Sequence, residues 1–128
     1  MTNSTAPTNL IWHAGFSSRD DKSYAATLAL PFVHLWPDGD LLRYDDLGDV
    51  DLLGHYARAG IDPGTFGRSE LDEARLVLDW KDLKAFRVRF TRYTRDGAAL
   101  DRSEAIWVVV RTNASWKVKL RLGAARVE

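Results

Sequence analysis

Residues 86–97 read FRVRFTRYTRDG, and this segment indicates the fold most clearly. Phe86, Val88 and Phe90 alternate with charged or polar neighbours, which predicts a strand with one apolar face. The turn dipeptide Asp96-Gly97 ends the segment. Similar alternation occurs before it, in residues 74–80 (ARLVLDW), and after it, in residues 105–110 (AIWVVV) and 116–122 (WKVKLRL). Four such strands in succession predict an antiparallel meander with one apolar face.

Strict alternation assigns each side chain of the last strand to a face. It places Trp116, Val118, Leu120 and Leu122 on the apolar face, and the basic residues between them on the other. On this assignment Arg121 points away from the core.

The first half of the chain has helical rather than alternating spacing. We expect three helices: one with Leu10, Ile11 and Ala14, one with Tyr24, Ala25, Leu28 and Ala29 that ends at Pro31, and one from about Asp49 with Val50, Leu53 and Ala57. Asp45, Asp46 and Asp49 supply capping oxygens for the third. Residues 32–36 and 41–44 predict a hairpin around Pro37-Asp38-Gly39, and residues 60–69 predict a loop. Helices followed by a meander predict a single α+β domain over residues 1–128, with residues 1–8 as a flexible start.

Composition excludes several classes of function. Basic and acidic residues number 18 each and are interspersed, so we expect no nucleic acid partner. The chain has no cysteine, and its three histidines lack metal-ligand spacing, so we expect no metal site. No apolar stretch is long enough to span a bilayer, and residues 1–9 lack a secretory pattern. We therefore expect no membrane partner, no cofactor and a cytoplasmic location.

The order of elements resembles the nuclear transport factor 2-like superfamily, in the bacterial branch that includes ketosteroid isomerases and polyketide cyclases. The segments that carry the resemblance are Leu30-Pro31-Phe32-Val33-His34, Phe90-Thr91-Arg92-Tyr93 with Asp96-Gly97, residues 105–110, and Trp116-Lys117-Val118. The resemblance implies a cone-shaped, cystatin-like fold, in which three N-terminal helices pack on the concave face of a curved, mixed but mainly antiparallel sheet. It also implies an internal pocket and a homodimer.

In an alignment with the ketosteroid isomerases, tryptophans of this chain occupy the positions of that family's catalytic groups. Trp36 falls at the carboxylate base, Trp12 at the phenol donor and Trp107 at the protonated carboxyl donor. Indole accepts no proton and offers one N–H donor. We therefore expect the isomerase mechanism to be missing from this chain.

Two interpretations of the tryptophans remain open. They either fill the cone as core, or form an aromatic box for an apolar or ring-containing molecule. The predicted pocket residues are Trp12, Phe32, His34, Trp36, Tyr56, Phe86, Val88, Phe90, Trp107 and Val118.

Three polar residues are candidates for catalysis in this pocket. His34 shares a strand face with Phe32 and Trp36, so it is either a general base or a neutral core histidine. Arg92 either binds an anionic group or pairs with a nearby acid. Tyr56 either donates to a ligand oxygen or packs its ring in the core, and we expect it to face inward more directly than its neighbour His55.

The opposite face of the predicted sheet has its own apolar strip, formed by Ile106, Val108 and Val110 among basic neighbours. Such a strip is either covered by a second copy of the chain or shielded by arginine stems. Three functions follow as hypotheses: a binding domain for an apolar small molecule, a cofactor-independent lyase or isomerase with His34 as base, and a dimeric interaction protein with a filled cone.

Overall fold

The structure, a computed structural model, describes residues 21–113 and 115–127. Within these ranges it contains two α-helices, a short 3-10 helix and six strands. The helices are α1 (Asp21–Ala25) and α2 (Leu52–Arg58), with the 3-10 helix at Leu47–Asp49. The strands are β1 (Leu28–Leu35), β2 (Leu41–Tyr44), β3 (Phe66–Asp79), β4 (Leu83–Thr94), β5 (Ala99–Thr112) and β6 (Ser115–Arg126). The expected first helix and Trp12 lie outside the described residues.

All six strands form one sheet in the order β2-β1-β6-β5-β4-β3. The four strands from β3 to β6 pair antiparallel in sequence, which confirms the predicted meander. The hairpin of β1 and β2 extends the meander at the β6 edge, where β1 pairs with β6 in the parallel direction. The result is an α+β fold on a mixed, mainly antiparallel sheet, as predicted.

The second predicted helix is shorter than its apolar spacing indicated, and that prediction was wrong. Helix α1 ends at Ala25, and Leu28 already begins β1. The Thr27 hydroxyl donates to the Tyr24 carbonyl oxygen (2.6 Å) and ends the helix, while the Val118 N–H donates to the Thr27 carbonyl oxygen (2.8 Å). Tertiary pairing with β6 therefore overrides local helix propensity. Pro31 is tolerated because it lies where the pairing of β1 with β6 is irregular.

The third predicted helix begins later than expected. The aspartates do act as caps, since Asp46 accepts from the Gly48 N–H (3.1 Å), but they cap the 3-10 helix. Helix α2 begins after Asp51, whose side chain accepts from the Gly54 N–H (2.9 Å). This start turns Leu52 into the core and leaves Leu53 65% exposed, so the expectation that Leu53 faces inward was wrong.

Strand β6 contains an irregularity that sequence alternation does not show. Val108 pairs with Leu120, but the next residue of β5, Val109, pairs with Val118. Lys119 is therefore an extra residue on β6, and it reverses the alternation that follows. Val118 stays inside, Leu120 and Leu122 turn to the outer face, and Arg121 turns inward with only 4% exposure. The prediction that Leu120 and Leu122 share a face with Val118 was wrong.

Strand β3 also departs from strict alternation. Its pairing with β4 shifts three times, between Phe66 and Arg68, between Leu71 and Glu73, and between Leu76 and Leu78. Leu76 and Trp80 are exposed, so the predicted apolar face from Ala74 to Trp80 holds only in part. Strand β3 also begins at Phe66, inside the segment predicted to be a loop.

The core lies between the two helices and the inner face of the sheet, the face that bears Phe32, Val88, Trp107, Val109 and Val118. Trp36 and Trp107 are 5% and 4% exposed. Both indoles line one internal cavity, which confirms that they lie on the same side of the sheet.

Candidate ligand-binding site

Three neighbouring strands bring the central side chains of the site together. His34 on β1 pairs with Arg121 on β6, and Arg121 pairs with Trp107 on β5. Residues paired across strands point to the same face of a sheet. The bulge at Lys119 therefore places a guanidinium between an imidazole and an indole, inside the protein.

Arg121 is surrounded by aromatic rings. Its guanidinium carbon lies 4.3 Å from the Trp107 ring centroid, 5.3 Å from that of Tyr24 and 5.7 Å from that of Phe32. Its Nη1 donates to the Tyr24 hydroxyl (3.0 Å), while Nε and Nη2 have no partner among the described residues. No ion pair between described residues includes Arg121, so its buried charge has no carboxylate partner in this part of the chain.

His34 is a neutral, buried imidazole at neutral pH. It is 2% exposed, and its ring stacks on Trp36 with centroids 3.9 Å apart. Burial lowers the pKa of His34 to about 4; the hydrogen bond to the Gly123 carbonyl oxygen offsets only part of this effect, and the charges of Arg121 and Arg58 lower the pKa as well. Because that carbonyl oxygen only accepts, Nε2 carries the proton, and Nδ1 presents a lone pair with no donor among the described residues.

His55 joins this cluster from helix α2. Its ring centroid lies 5.4 Å from that of Trp36, 5.5 Å from that of His34 and 5.9 Å from that of Tyr24. Burial, followed by the charge of Arg121, holds the pKa of His55 well below its usual value. Tyr56 lines the cavity as predicted, but His55 was expected to face inward less directly and lines the cavity too, because a helix that begins at Leu52 places both residues on its inner face.

Arg92 forms the ion pair that was one of its two predicted roles. Its Nε and Nη2 donate to the two carboxylate oxygens of Asp101, at 2.7 and 2.9 Å. Nη2 also donates to the Ser103 hydroxyl (3.2 Å). Both side chains of the pair are about nine-tenths buried. Arg92 lines the cavity, but its charge is balanced.

The cluster encloses a cavity of about 70 Å³ between helix α2 and the inner face of the sheet. Its wall includes six predicted residues: His34, Trp36, Tyr56, Phe90, Arg92 and Trp107. Phe32, Phe86, Val88 and Val118 instead belong to the close-packed core beside it. Several wall residues are only half buried and mark a mouth where α2 meets the start of β3; these are Tyr56, Ala59, Ile61, Phe66 and Ser69.

A second depression, of about 300 Å³, lies outside this cavity. Helix α2 and strand β2 form its walls, which include Asp40, Asp49 and Asp51. Trp36 and His55 line both spaces and separate them. Arg58 lies over the outer side of Trp36, with its guanidinium carbon 4.8 Å from the ring centroid.

Sequence reasoning missed Arg121, His55 and Gly123 as parts of the site. The available signal was Gly123, because a glycine inside a strand often marks a bulge. Gly123 has φ of +109°, which favours glycine, and β5 and β6 shift their pairing there a second time. Nothing in the sequence marks Lys119 as the extra residue of the first bulge in β6.

Comparison with known proteins identifies the fold. A protein of unknown function with a cystatin-like fold from Nostoc punctiforme superposes with a TM-score of 0.71, at 16% identity over 96% of this chain and 91% of that one. An NTF2-like protein of unknown function from Prochlorococcus gives 0.71 at 11% identity, over 100% and 97% of the two chains. An NTF2-like protein from Cytophaga hutchinsonii gives 0.59 at 11% identity, over 95% and 92%. This chain therefore has the cystatin-like fold of NTF2-like (nuclear transport factor 2-like) proteins.

Sequence comparison adds no further match: no family model and no curated protein matches this chain. Within residues 21–113 and 115–127, no group of three or more His, Asp or Glu side chains is placed to hold a metal ion. In the same ranges no helix is long and apolar enough to cross a membrane.

Proposed function

We propose that the protein binds a small, mainly apolar or aromatic molecule in the cavity between α2 and the inner face of the sheet. The observation that carries this proposal is that Trp36 and Trp107 both face the cavity and still leave it unfilled. Tryptophans that served only as packing would close the space, because protein interiors are close-packed and voids larger than a water molecule are few.

The wall chemistry supports the same ligand class. Aromatic rings from α1, α2, β3, β4 and β5 line the cavity, and flat rings stack on one another or meet edge to face. Binding pockets are commonly walled by such side chains, with a few polar groups that orient the ligand. Here those groups are Arg121, Tyr24 and the two imidazoles.

The proposal is tested by screening small ring compounds and short-chain compounds by ligand-observed NMR, with a thermal-shift assay in parallel. The control variant is Ala105→Ile, which adds volume from the cavity wall at a residue on a central strand. We expect binding to the wild-type protein and loss of binding in the variant at unchanged or higher melting temperature. Failure of every compound to bind the wild type would overturn the proposal, as would equal binding by a folded Ala105→Ile protein.

A second candidate function is catalysis by His34 in a cofactor-independent lyase or isomerase. It is favoured by the unprotonated Nδ1 in the cavity wall. It is disfavoured by the pKa of His34, about 4, which makes the ring a weak base. A test is deuterium exchange at the α-carbon of small ketones: catalysis requires exchange that disappears in His34→Gln, and exchange at the same rate in both proteins would reject it.

We also propose that a second copy of the chain covers the outer face of the sheet. The bulge in β6 supports this because it adds Leu120 and Leu122 to the strip of Ile106, Val108 and Val110. Val108→Glu should reduce the solution mass from two chains to one, measured by light scattering. Val77→Glu, at an exposed residue of β3, is the matched control and should leave the mass unchanged. A wild-type mass of one chain would contradict the proposal.

A further inference from the structure

Arg121 presents one complete edge of its guanidinium without an acceptor among the residues that the structure describes. The two unpartnered atoms are Nε and Nη2, and Nη1 on the other edge donates to Tyr24. Nε and Nη2 carry parallel N–H bonds at the spacing of the two oxygens of a carboxylate. The residue is 4% exposed and lines the cavity, so water reaches it poorly. A buried charge in this state is costly unless an opposite charge binds to it.

We propose that Arg121 binds a carboxylate group of the ligand through its Nε and Nη2 edge. This inference rests on the proposed function, because it concerns the polar end of the same bound molecule. The ligand is then a small organic acid with an apolar or aromatic body. No acidic side chain lines the cavity among the described residues, so the ligand meets no like charge there.

The protein itself contains a copy of the proposed contact. Arg92 lies in the same cavity wall, and it uses the same two atoms, Nε and Nη2, to donate to Asp101 at 2.7 and 2.9 Å. Asp101 itself does not line the cavity. Such two-point contacts between a planar guanidinium and a planar carboxylate are strong and directional. Arg121 differs from Arg92 in that no described residue supplies the acid.

The groups around Arg121 suit an anion as well. The Tyr24 hydroxyl accepts from Nη1, so its own proton stays available as a further donor toward the ligand. Both imidazoles of the cluster are neutral at neutral pH. The His34 Nδ1 lone pair accepts a hydrogen bond, which matches a hydroxyl or N–H group on the ligand body.

The volume of the cavity fixes the orientation of the ligand. A dry cavity of about 150 Å³ holds benzene, and this one has about 70 Å³. It therefore accepts a carboxylate and one or two attached carbons, but encloses no whole ring. The ring or chain of the ligand then lies toward the mouth, against Tyr56 and Phe66, whose rings pack on each other with centroids 5.7 Å apart.

The test compares acids with neutral amides of the same shape. Benzoate and benzamide form one pair, and propionate and propionamide form a smaller pair; affinities are measured by calorimetry or NMR titration at pH 7. A charge-assisted contact of this kind corresponds to a preference of about 10- to 100-fold for the acid. Arg121→Met should remove the preference, and Arg121→Lys should keep part of it, because lysine retains the charge without the two-point geometry.

Arg75→Met is the matched control, because it removes one exposed positive charge from β3 outside the cavity. The acid preference should survive in Arg75→Met. Equal affinity of wild-type protein for acid and amide would overturn the inference and leave the proposed function intact. If none of the four compounds binds, both the carboxylate contact and the proposed function are overturned. Should Arg121→Met fail to fold, the acid-to-amide ratio of the wild type and of Arg121→Lys still decides the matter.

Discussion

The two buried arginines of the cavity wall form an instructive pair. Arg92 and Arg121 both point inward, both are less than 10% exposed, and both line the same space. Arg92 binds Asp101 through Nε and Nη2, whereas the same atoms of Arg121 have no acceptor among the described residues. The described residues thus supply the acid for Arg92 but not for Arg121, and we propose that a ligand supplies it there. Burial alone does not tell a structural arginine from a binding one; the partner does.

The largest expected effect concerns the balanced arginine. Arg92→Met leaves the Asp101 carboxylate buried with only the more distant Arg126, at 3.4 Å, as a cation partner. Breaking a buried pair by removing one partner costs about 3–5 kcal/mol. Urea denaturation should show a loss of this size in the free energy of unfolding. Arg126→Met, at an exposed side chain, is the control and should cost less than about 1 kcal/mol. Equal losses in both variants would contradict the difference in burial.

The second effect is a dependence of stability on pH. His34 binds a proton near pH 6.5 when unfolded and only near pH 4 when folded. Between these values the unfolded state binds more protons, so stability is complete above pH 6.5 and falls as the pH drops toward 4, by about 3 kcal/mol. The groups that face His34 are His55 and Arg58 from α2 and Arg121 from β6.

His34→Gln removes this titration and retains that of His55, whose pKa is lowered in the same direction. The free energy of unfolding, measured between pH 7 and 4.5, should therefore fall less steeply in His34→Gln than in the wild type. Parallel curves for the two proteins would contradict a neutral, buried His34.

The third effect has the opposite sign to the first. Arg121→Met removes a buried charge without stranding an acid, and an apolar side chain of similar volume takes its place. We expect the ligand-free protein to become more stable by about 2 kcal/mol, because replacing buried ionic groups by apolar residues often stabilises. Urea denaturation measures the change. A loss of more than about 2 kcal/mol would show that Arg121 is balanced within the chain, as Arg92 is.

The smallest effect concerns the backbone that positions Arg121. A Cβ at Gly123 would lie 3.0 Å from the Glu104 carbonyl oxygen, at φ of +109°. Gly123→Ala should therefore lower the free energy of unfolding, measured by thermal denaturation, by about 1–3 kcal/mol. Gly97→Ala is the control: its φ of +94° is similarly unfavourable, but no atom lies within 4 Å of the new Cβ. Equal losses would show that the close approach at Gly123 carries no cost.

The sequence allowed a good prediction of the sheet and a poorer one of the site. Apolar alternation identified the meander and Pro37-Asp38-Gly39 identified the hairpin turn, because those patterns are local. The inward position of Trp36 and Trp107 came from alignment with the ketosteroid isomerases. The prediction that Leu28 is helical was wrong because Leu28 pairs with β6, whose residues lie far along the chain. The predicted direction of Arg121 was wrong for a related reason: a single extra residue, Lys119, reverses the direction of the side chains that follow it.

The predicted chemistry divides along the same line. His34 was correctly placed beside Trp36 because both belong to one short stretch around the end of β1. His55 was misplaced because its direction depends on where α2 begins, and element boundaries are the least certain part of a sequence prediction. The homodimer and the cytoplasmic location stay predictions.

The most direct test of the central claim is the ¹H–¹⁵N NMR signal of the Arg121 Nε–H, assigned by comparison with Arg121→Lys. We expect a signal that is protected from exchange with water in the ligand-free protein and that shifts on addition of benzoate but not of benzamide. The Nε–H signal of Arg92, already bound to Asp101, should stay in place. A fast-exchanging Arg121 signal, or one that neither compound moves, would contradict a buried arginine that awaits a carboxylate.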